Sequence, residues 1–165
     1  MAVREIVQYP AAILKQVCDP VDPLSDLGRT IARDLADTLD AGPGVGLAAP
    51  QIGCALRVIL VDAARNPKRE GQGRFVLFNP VIIERRGHQT LREGCLSIPD
   101  YTGNVTRAEE VVVEGLDPGG EPLTLTSRSY EAVVFQHEID HLDGILFIDR
   151  ITNVKTDLFR RKPKG

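Results

Sequence analysis

Cysteine is scarce in this chain. Cys18, Cys54 and Cys95 are an odd number without framework spacing, which excludes a disulfide scaffold and fits a reducing cytoplasm. There is no run of about 18 apolar residues, so no membrane-spanning helix is expected and no membrane partner. The N-terminus carries Arg4 and Glu5 ahead of a short apolar run. With no long apolar h-region and no Arg-rich, acid-poor segment, neither a signal peptide nor a transit peptide is expected. Charge of one sign is also lacking: the formal net charge is −3, which argues against a general nucleic-acid binder. Internal repeats and low-complexity segments are absent too.

What is present suits a globular domain. Of 165 residues, 42% are hydrophobic and 26% charged, enough for one domain over residues 1–165 with a real core. Residues 3–9 read as an extended entry, and Pro10 opens a short helix reaching about Val17. Asp19-Pro20 and Asp22-Pro23 form a turn-rich connector. Ser25 or Asp26 caps a helix whose Ile31, Leu35, Thr38 and Leu39 recur at helical spacing, and Ala41-Gly42-Pro43 ends it. Strands are expected at residues 56–61, 75–78 and 81–83. A further pair, at 111–113 and 123–125, flanks the hairpin turn Asp117-Pro118-Gly119-Gly120. His88 falls in a polar turn and is given no role. Residues 145–148 read as a last strand-like or packed segment. The tail, 150–165, holds Lys155, Arg160, Arg161, Lys162 and Lys164 and reads as a solvated terminus.

Two stretches carry chemistry. Gly44 to Gln51 is a run of small residues ending in an amide. It is either a close backbone approach to a ligand or a tight structural turn; it is neither a dinucleotide fingerprint nor a phosphate loop. The second stretch, His137-Glu138-Ile139-Asp140-His141, reads H-E-x-x-H. On a helix, which Ala132 to Phe135 favour and Gly144 would end, the two histidines share a face one turn apart and can converge on one ion. Glu138 is then placed to act as general base toward a water at that ion. The plainer alternative is a helix with two chance histidines on a packed face.

A catalytic metal needs a third protein ligand and an open position. Downstream of His141 stand the acids Asp143, Asp149 and Asp157, with little room for a helical protease lobe, and no histidine follows. That disfavours a metalloprotease and leaves the cysteines as soft donors. Cys95, between Gly94 and Leu96 in a strand that ends in a loop, is the best placed of them. A Cys-His-His set suits a borderline divalent metal such as Fe²⁺ or Zn²⁺.

Taken together, Gly44-Val45-Gly46-Leu47-Ala48-Ala49-Pro50-Gln51, Glu93-Gly94-Cys95-Leu96-Ser97 and Gln136 to Gly144 resemble the three signature motifs of peptide deformylases, in that family's order. The resemblance implies an α+β domain of mixed or antiparallel strands packed around a central metal-binding helix. It implies a metal-dependent hydrolase that takes the formyl group from formyl-Met nascent peptides, in the bacterial cytoplasm. Cys95, His137 and His141 would hold the metal, most often Fe²⁺ and replaceable by Zn²⁺, Ni²⁺ or Co²⁺. Glu138 would take a proton from the attacking water and later protonate the departing amine. The Gln51 side-chain amide and the Leu96 N–H would donate to the oxyanion. Gly44, Val45, Gly46, Val133 and Val134 would line the methionine pocket. Glu93 and Asp140 would orient ligands, unless they form surface ion pairs instead.

The sequence departs from the pattern in three places. Many bacterial members carry a substrate-contacting arginine soon after Ile98-Pro99; here that loop is Asp100-Tyr101-Thr102-Gly103-Asn104, and only Arg107 follows. Tyr130-Glu131 stands where pocket-entrance residues are commonly less polar. In place of a long C-terminal helix that docks on the ribosome there is the basic tail, expected to give a transient association. A non-catalytic relative that kept the fold would be favoured only if Glu138 or Gln51 were missing, and both are present.

Overall fold

The computed structural model describes residues 2–161. Strand β2 (Val58–Val61) explains the layering. All four of its side chains are buried, and they alternate: Ile59 and Val61 point to one cluster, Val58 and Leu60 to another. A strand buried on both faces requires a covering layer on each side. Helix α1 (Asp26–Asp40) covers one face through Ile31, Leu35 and Leu39, and helix α2 (Ser129–Leu142) covers the other through Ala132, Val134, Phe135 and Ile139. Each large apolar side chain so buried contributes ~1.5–3 kcal/mol.

Around β2 the strands run antiparallel. One sheet has the order β1-β2-β3-β6-β7, with β1 Gly46–Ala48, β3 Phe75–Arg86, β6 Glu110–Leu116 and β7 Pro122–Arg128. A second sheet has the order β4-β5-β8, with β4 Gln89–Cys95, β5 Ile98–Arg107 and β8 Leu158–Arg160. Helix α2 is enclosed between these parts, every residue from Glu131 to Leu142 being buried, and a third cluster (Leu14, Cys95, Ile98, Val105, Leu146, Phe147) closes the far side. This is the expected α+β single domain with antiparallel strands.

Caps and turns follow the sequence signals. Ser25 Oγ accepts from Gly28 N at 3.0 Å at the start of α1. Gly144 ends α2 at φ +72, and a Cβ there would lie 2.5 Å from the Lys15 carbonyl oxygen, so only glycine fits.

Several expectations are corrected. Residues 75–78 and 81–83 belong to one strand, β3, which passes Asn79-Pro80 through a register shift. Asn79 sits at φ 52 and its amide clasps both Val21 N and Val21 O at 3.0 Å, which stabilises the bulge that Pro80 needs. The loop expected at 100–104 is part of β5, with Thr102–Asn104 paired to β4 and Tyr101–Gly103 paired to β8; its mixed polar composition hides a strand defined by its partners. The short helix after Pro10 is a single 3₁₀ turn, Ala12–Lys15. Of the two readings for residues 145–148, the packed one matches, with Leu146 and Phe147 buried, and Phe147–Arg150 is another 3₁₀ turn rather than a strand. The solvated tail is also revised: Val154–Asp157 is a helical turn (α3), and Leu158–Arg160 pairs with Tyr101–Gly103 as β8. Lys162 and Lys164 lie outside the described residues. None of the described helices is long and apolar enough to cross a membrane.

Candidate active site

The β4–β5 hairpin and α2 meet where the sequence motifs meet. Cys95 ends β4, and Leu96-Ser97 form the turn to its partner Ile98. One turn of α2 separates His137 from His141. The Cys95 thiol and the two imidazoles each bring a donor atom into one space, all within 4.8 Å of one another and all buried. Cys95 Sγ lies 3.4 Å from His141 Nε2. A thiolate and two imidazoles are a donor set for a borderline divalent ion, and three protein donors leave a position open for reactants. The residues fit such an ion.

The His137 imidazole is held from behind. Glu93 Oε1 accepts from His137 Nδ1 at 2.9 Å, so the other ring nitrogen faces the donor cluster. Arg107 grips both oxygens of Glu93, at 2.6 and 3.0 Å, and reaches Asp140 Oδ2 at 2.8 Å. Arg150 closes the chain on Asp140 at 2.6 and 2.8 Å. Glu93 and Asp140 are thus buried members of one network and not surface ion pairs. Burial would raise both carboxyls, but His137 and Arg107 hold Glu93, and Arg150 and Arg107 hold Asp140, below the ordinary carboxylate range.

The histidines themselves diverge. Burial and the charge of His137 keep His141 neutral, well below the usual histidine value. Burial would lower His137 as well, but hydrogen bonds to Cys95 and Glu93 and the charge of Glu138 raise it well above that value. Glu138, fully enclosed, is pushed up to about 7, chiefly by burial. Its Oε1 finds no hydrogen-bond partner among the described residues, and neither does His141 Nδ1.

Gln51 is aimed by its own turn. Its Oε1 accepts from Ala48 N at 3.0 Å, which turns the amide nitrogen toward Cys95 Sγ (3.4 Å) and Ser97 Oγ (3.1 Å). The entry segment fixes this turn against the hairpin: Val7 N donates to Gln51 O and Tyr9 N to Ser97 O. Leu96 occupies the first position of a two-residue turn, whose N–H the ladder does not use. Gly46 approaches Glu138 so closely that a Cβ there would stand 2.7 Å from Oε2. At Gly46 the close approach is to the Glu138 side chain.

These groups open into a cleft of about 580 Å³. Gly44, Val45, Gly46, Val133 and Val134, all anticipated, line it beside Gln51, Cys95, Leu96, His137 and Glu138. Arg65 shapes its wall by donating to Gly42 O and Gly44 O. Three roles were not legible. Ser97 is a partner of Gln51. Arg107, given no role by the sequence, points inward to Glu93; its alternation with Val105 along β5 was the available signal. Glu131 stands buried behind the entrance, accepting from Gln72 N and Ser127 Oγ. The cleft also takes Arg92 and Arg161, the latter from the expected tail.

The family model described as Polypeptide deformylase matches residues 3–157, nearly the whole chain. The chain belongs to the polypeptide deformylase family. The peptide deformylase of Heliobacterium modesticaldum is 50% identical over 154 residues, 93% of this chain and 97% of that protein. That of Thermodesulfovibrio yellowstonii is 40% identical over 164 residues, 99% and 98%. Among solved structures, a class I type b peptide deformylase from Acinetobacter baumannii with Met-Ala-Ser bound superposes with a TM-score of 0.86 at 36% identity, covering 91% of this chain and 99% of that one. A Legionella pneumophila peptide deformylase gives 0.84 at 38%, covering 93% and 89%. Like its family, this deformylase is a metal-dependent hydrolase that removes the N-terminal formyl group from formyl-methionyl nascent polypeptides, leaving formate and a free N-terminal methionine.

Proposed function

We propose that Cys95, His137 and His141 hold one divalent ion, Fe²⁺ in the native protein and replaceable by Zn²⁺, Ni²⁺ or Co²⁺, and that Glu138 is the proton-transfer group of deformylation. The observation that carries this reading is the buried Glu138 carboxyl beside the Cys-His-His cluster, wedged against Gly46 with one oxygen unpartnered. When bound, such an ion polarises a carbonyl and makes water a nucleophile at neutral pH.

The chain supplies the rest. The Glu138 carboxylate takes a proton from the attacking water and returns it to the amine that leaves with the peptide. Burial raises this carboxyl above the ordinary carboxylate range, which favours its holding the proton between the two halves of that exchange. The Gln51 amide nitrogen and the Leu96 N–H donate to the oxygen that becomes negative as the formyl carbon turns tetrahedral. Ala48 N holds the amide in place, and its nitrogen needs only to exchange a bond to Cys95 Sγ or Ser97 Oγ for one to the substrate oxygen. The formyl-methionine side chain occupies the apolar part of the cleft between Gly44-Val45-Gly46 and Val133-Val134. The Acinetobacter structure holds Met-Ala-Ser, a peptide of the kind such a reaction releases, which supports the substrate class.

The test is anaerobic purification with metal analysis, paired with formate release from formyl-Met-Ala-Ser. Glu138→Ala keeps the metal and loses turnover by orders of magnitude; retained turnover in that variant overturns the mechanism. The cytoplasm, with its reduced thiols, suits three free cysteines, one of them a ligand. A transient association of the basic tail with the ribosome accompanies this role, carried by exposed Lys155 and Arg160 and with no nucleic-acid specificity. Co-sedimentation of Lys155→Glu/Arg160→Glu with ribosomes at wild-type level would dismiss it.

A further inference from the structure

One face of the β4-β5-β8 sheet carries two guanidinium groups that the reaction does not use. Pairing aligns Gly94 with Thr102 and Thr102 with Phe159, so Arg92, Gly94, Thr102, Phe159 and Arg161 fall on one side by strand alternation. The side chains obey that register. The Arg92 guanidinium lies 3.7 Å over the Phe159 ring, and the Arg161 backbone N–H donates to Asp100 O at 2.7 Å. From there Arg161 crosses Thr102 and lays its guanidinium against Gly94, where any Cβ would stand 2.5 Å from Nη2. Gly94 immediately precedes Cys95, so Arg161 ends at the mouth of the cleft, which both arginines line.

Neither cation has an acidic partner among the described residues. The other arginine of the cleft, Arg65, pairs with Asp40 at 3.0 Å, and Arg107 behind it pairs with Glu93. The acids inside the cleft, Glu93 and Glu138, are buried in the catalytic layer. The rim is therefore a cationic lip where a peptide anchored by its formyl-methionine must pass outward.

We propose that Arg161, delivered by the C-terminal strand and seconded by Arg92, binds a carboxylate carried by the first residues after formyl-methionine, and so biases this deformylase toward acidic peptide starts. The inference rests on the cleft being where the peptide lies. Arg161 is a specificity residue for the downstream peptide and takes no part in proton transfer. A guanidinium fork matches a carboxylate bidentately, and its partial desolvation against Gly94 and Thr102 strengthens the contact over that of a fully solvated pair.

The metal-loaded enzyme is assayed on two peptide pairs. The first is formyl-Met-Ala-Asp-amide against its neutral isostere formyl-Met-Ala-Asn-amide. The second is formyl-Met-Ala-Ala with a free against an amidated C-terminus. A preference in kcat/KM of roughly fivefold to tenfold for the anionic member, residing in KM and eroded by added salt, is the expected result. Which pair shows it tells whether a side-chain or a terminal carboxylate is read. In Arg161→Gln the ratio falls toward one, and Arg161→Lys restores part of it. Equal kcat/KM within both pairs for the wild type overturns the proposal, and so does a ratio that survives Arg161→Gln. Loss of turnover on all four peptides would instead count against the placement of the peptide in the cleft.

Discussion

The Nδ1 of His137 lies 2.9 Å from Oε1 of Glu93, a carboxylate that Arg107 grips from its other side. This fixes the ring of one candidate metal ligand through two buried charges. Replacing Glu93 by alanine frees that ring, and metal affinity falls about 10–100-fold, the usual cost of losing such a partner. Competition with a chromophoric chelator measures it, and unchanged affinity would remove Glu93 from this role. The same variant leaves Arg107 half-paired in the interior, so its melting temperature drops as well.

Gly46 and Glu138 share a space too small for a methyl group. Gly46→Ala therefore displaces the carboxyl and lowers kcat for formate release by at least about tenfold, a shift of ~1.4 kcal/mol in barrier. Metal content stays at the wild-type level because no donor atom is touched. Full activity in Gly46→Ala would show that the contact yields.

Metal uptake is coupled to protons. In the metal-free protein His137 is held protonated above the ordinary histidine range, while His141 is already neutral. An ion must displace the His137 proton, so apparent affinity rises as pH rises through neutrality and falls on acidification. Titrations at pH 6 and pH 8 check the sign; equal affinities would contradict it.

Cys18 behaves differently from a ligand thiol. Burial pushes it up to about 11, and it remains the neutral thiol at pH 8. Native protein should leave Cys18 unmodified by iodoacetamide at that pH and modify it once unfolded, as peptide mass mapping can read. Because the folded value exceeds the unfolded one, Cys18 also subtracts stability as pH climbs from about 9 toward 11. Rapid labelling of native Cys18 at pH 8 would show its cover to be open.

Much of the site was legible because its chemistry is local in sequence. The spacing of His137, Glu138 and His141 is helical, and Gly144 marks where the helix stops. Helix α1 was readable from Ser25 and its apolar stripe for the same reason. What stayed hidden was set by pairing across long separations. Strand β5 carries polar residues at 100–104 and owes its form to β4. Nothing local to Arg107 announces its partners Glu93 and Asp140, which stand 14 and 33 residues away. The basic tail read as free end because nothing local announces that Leu158–Arg160 will pair with Tyr101–Gly103.

The enclosure of Glu138, deep inside a packed helix, has a consequence for durability. Burial disfavours its charged form, a desolvation cost that a well-packed apolar side chain would not carry. Under the role proposed for Glu138, heat resistance and turnover pull in opposite directions at this one residue, and efforts to harden the enzyme belong elsewhere, at β3 or the surface of α1.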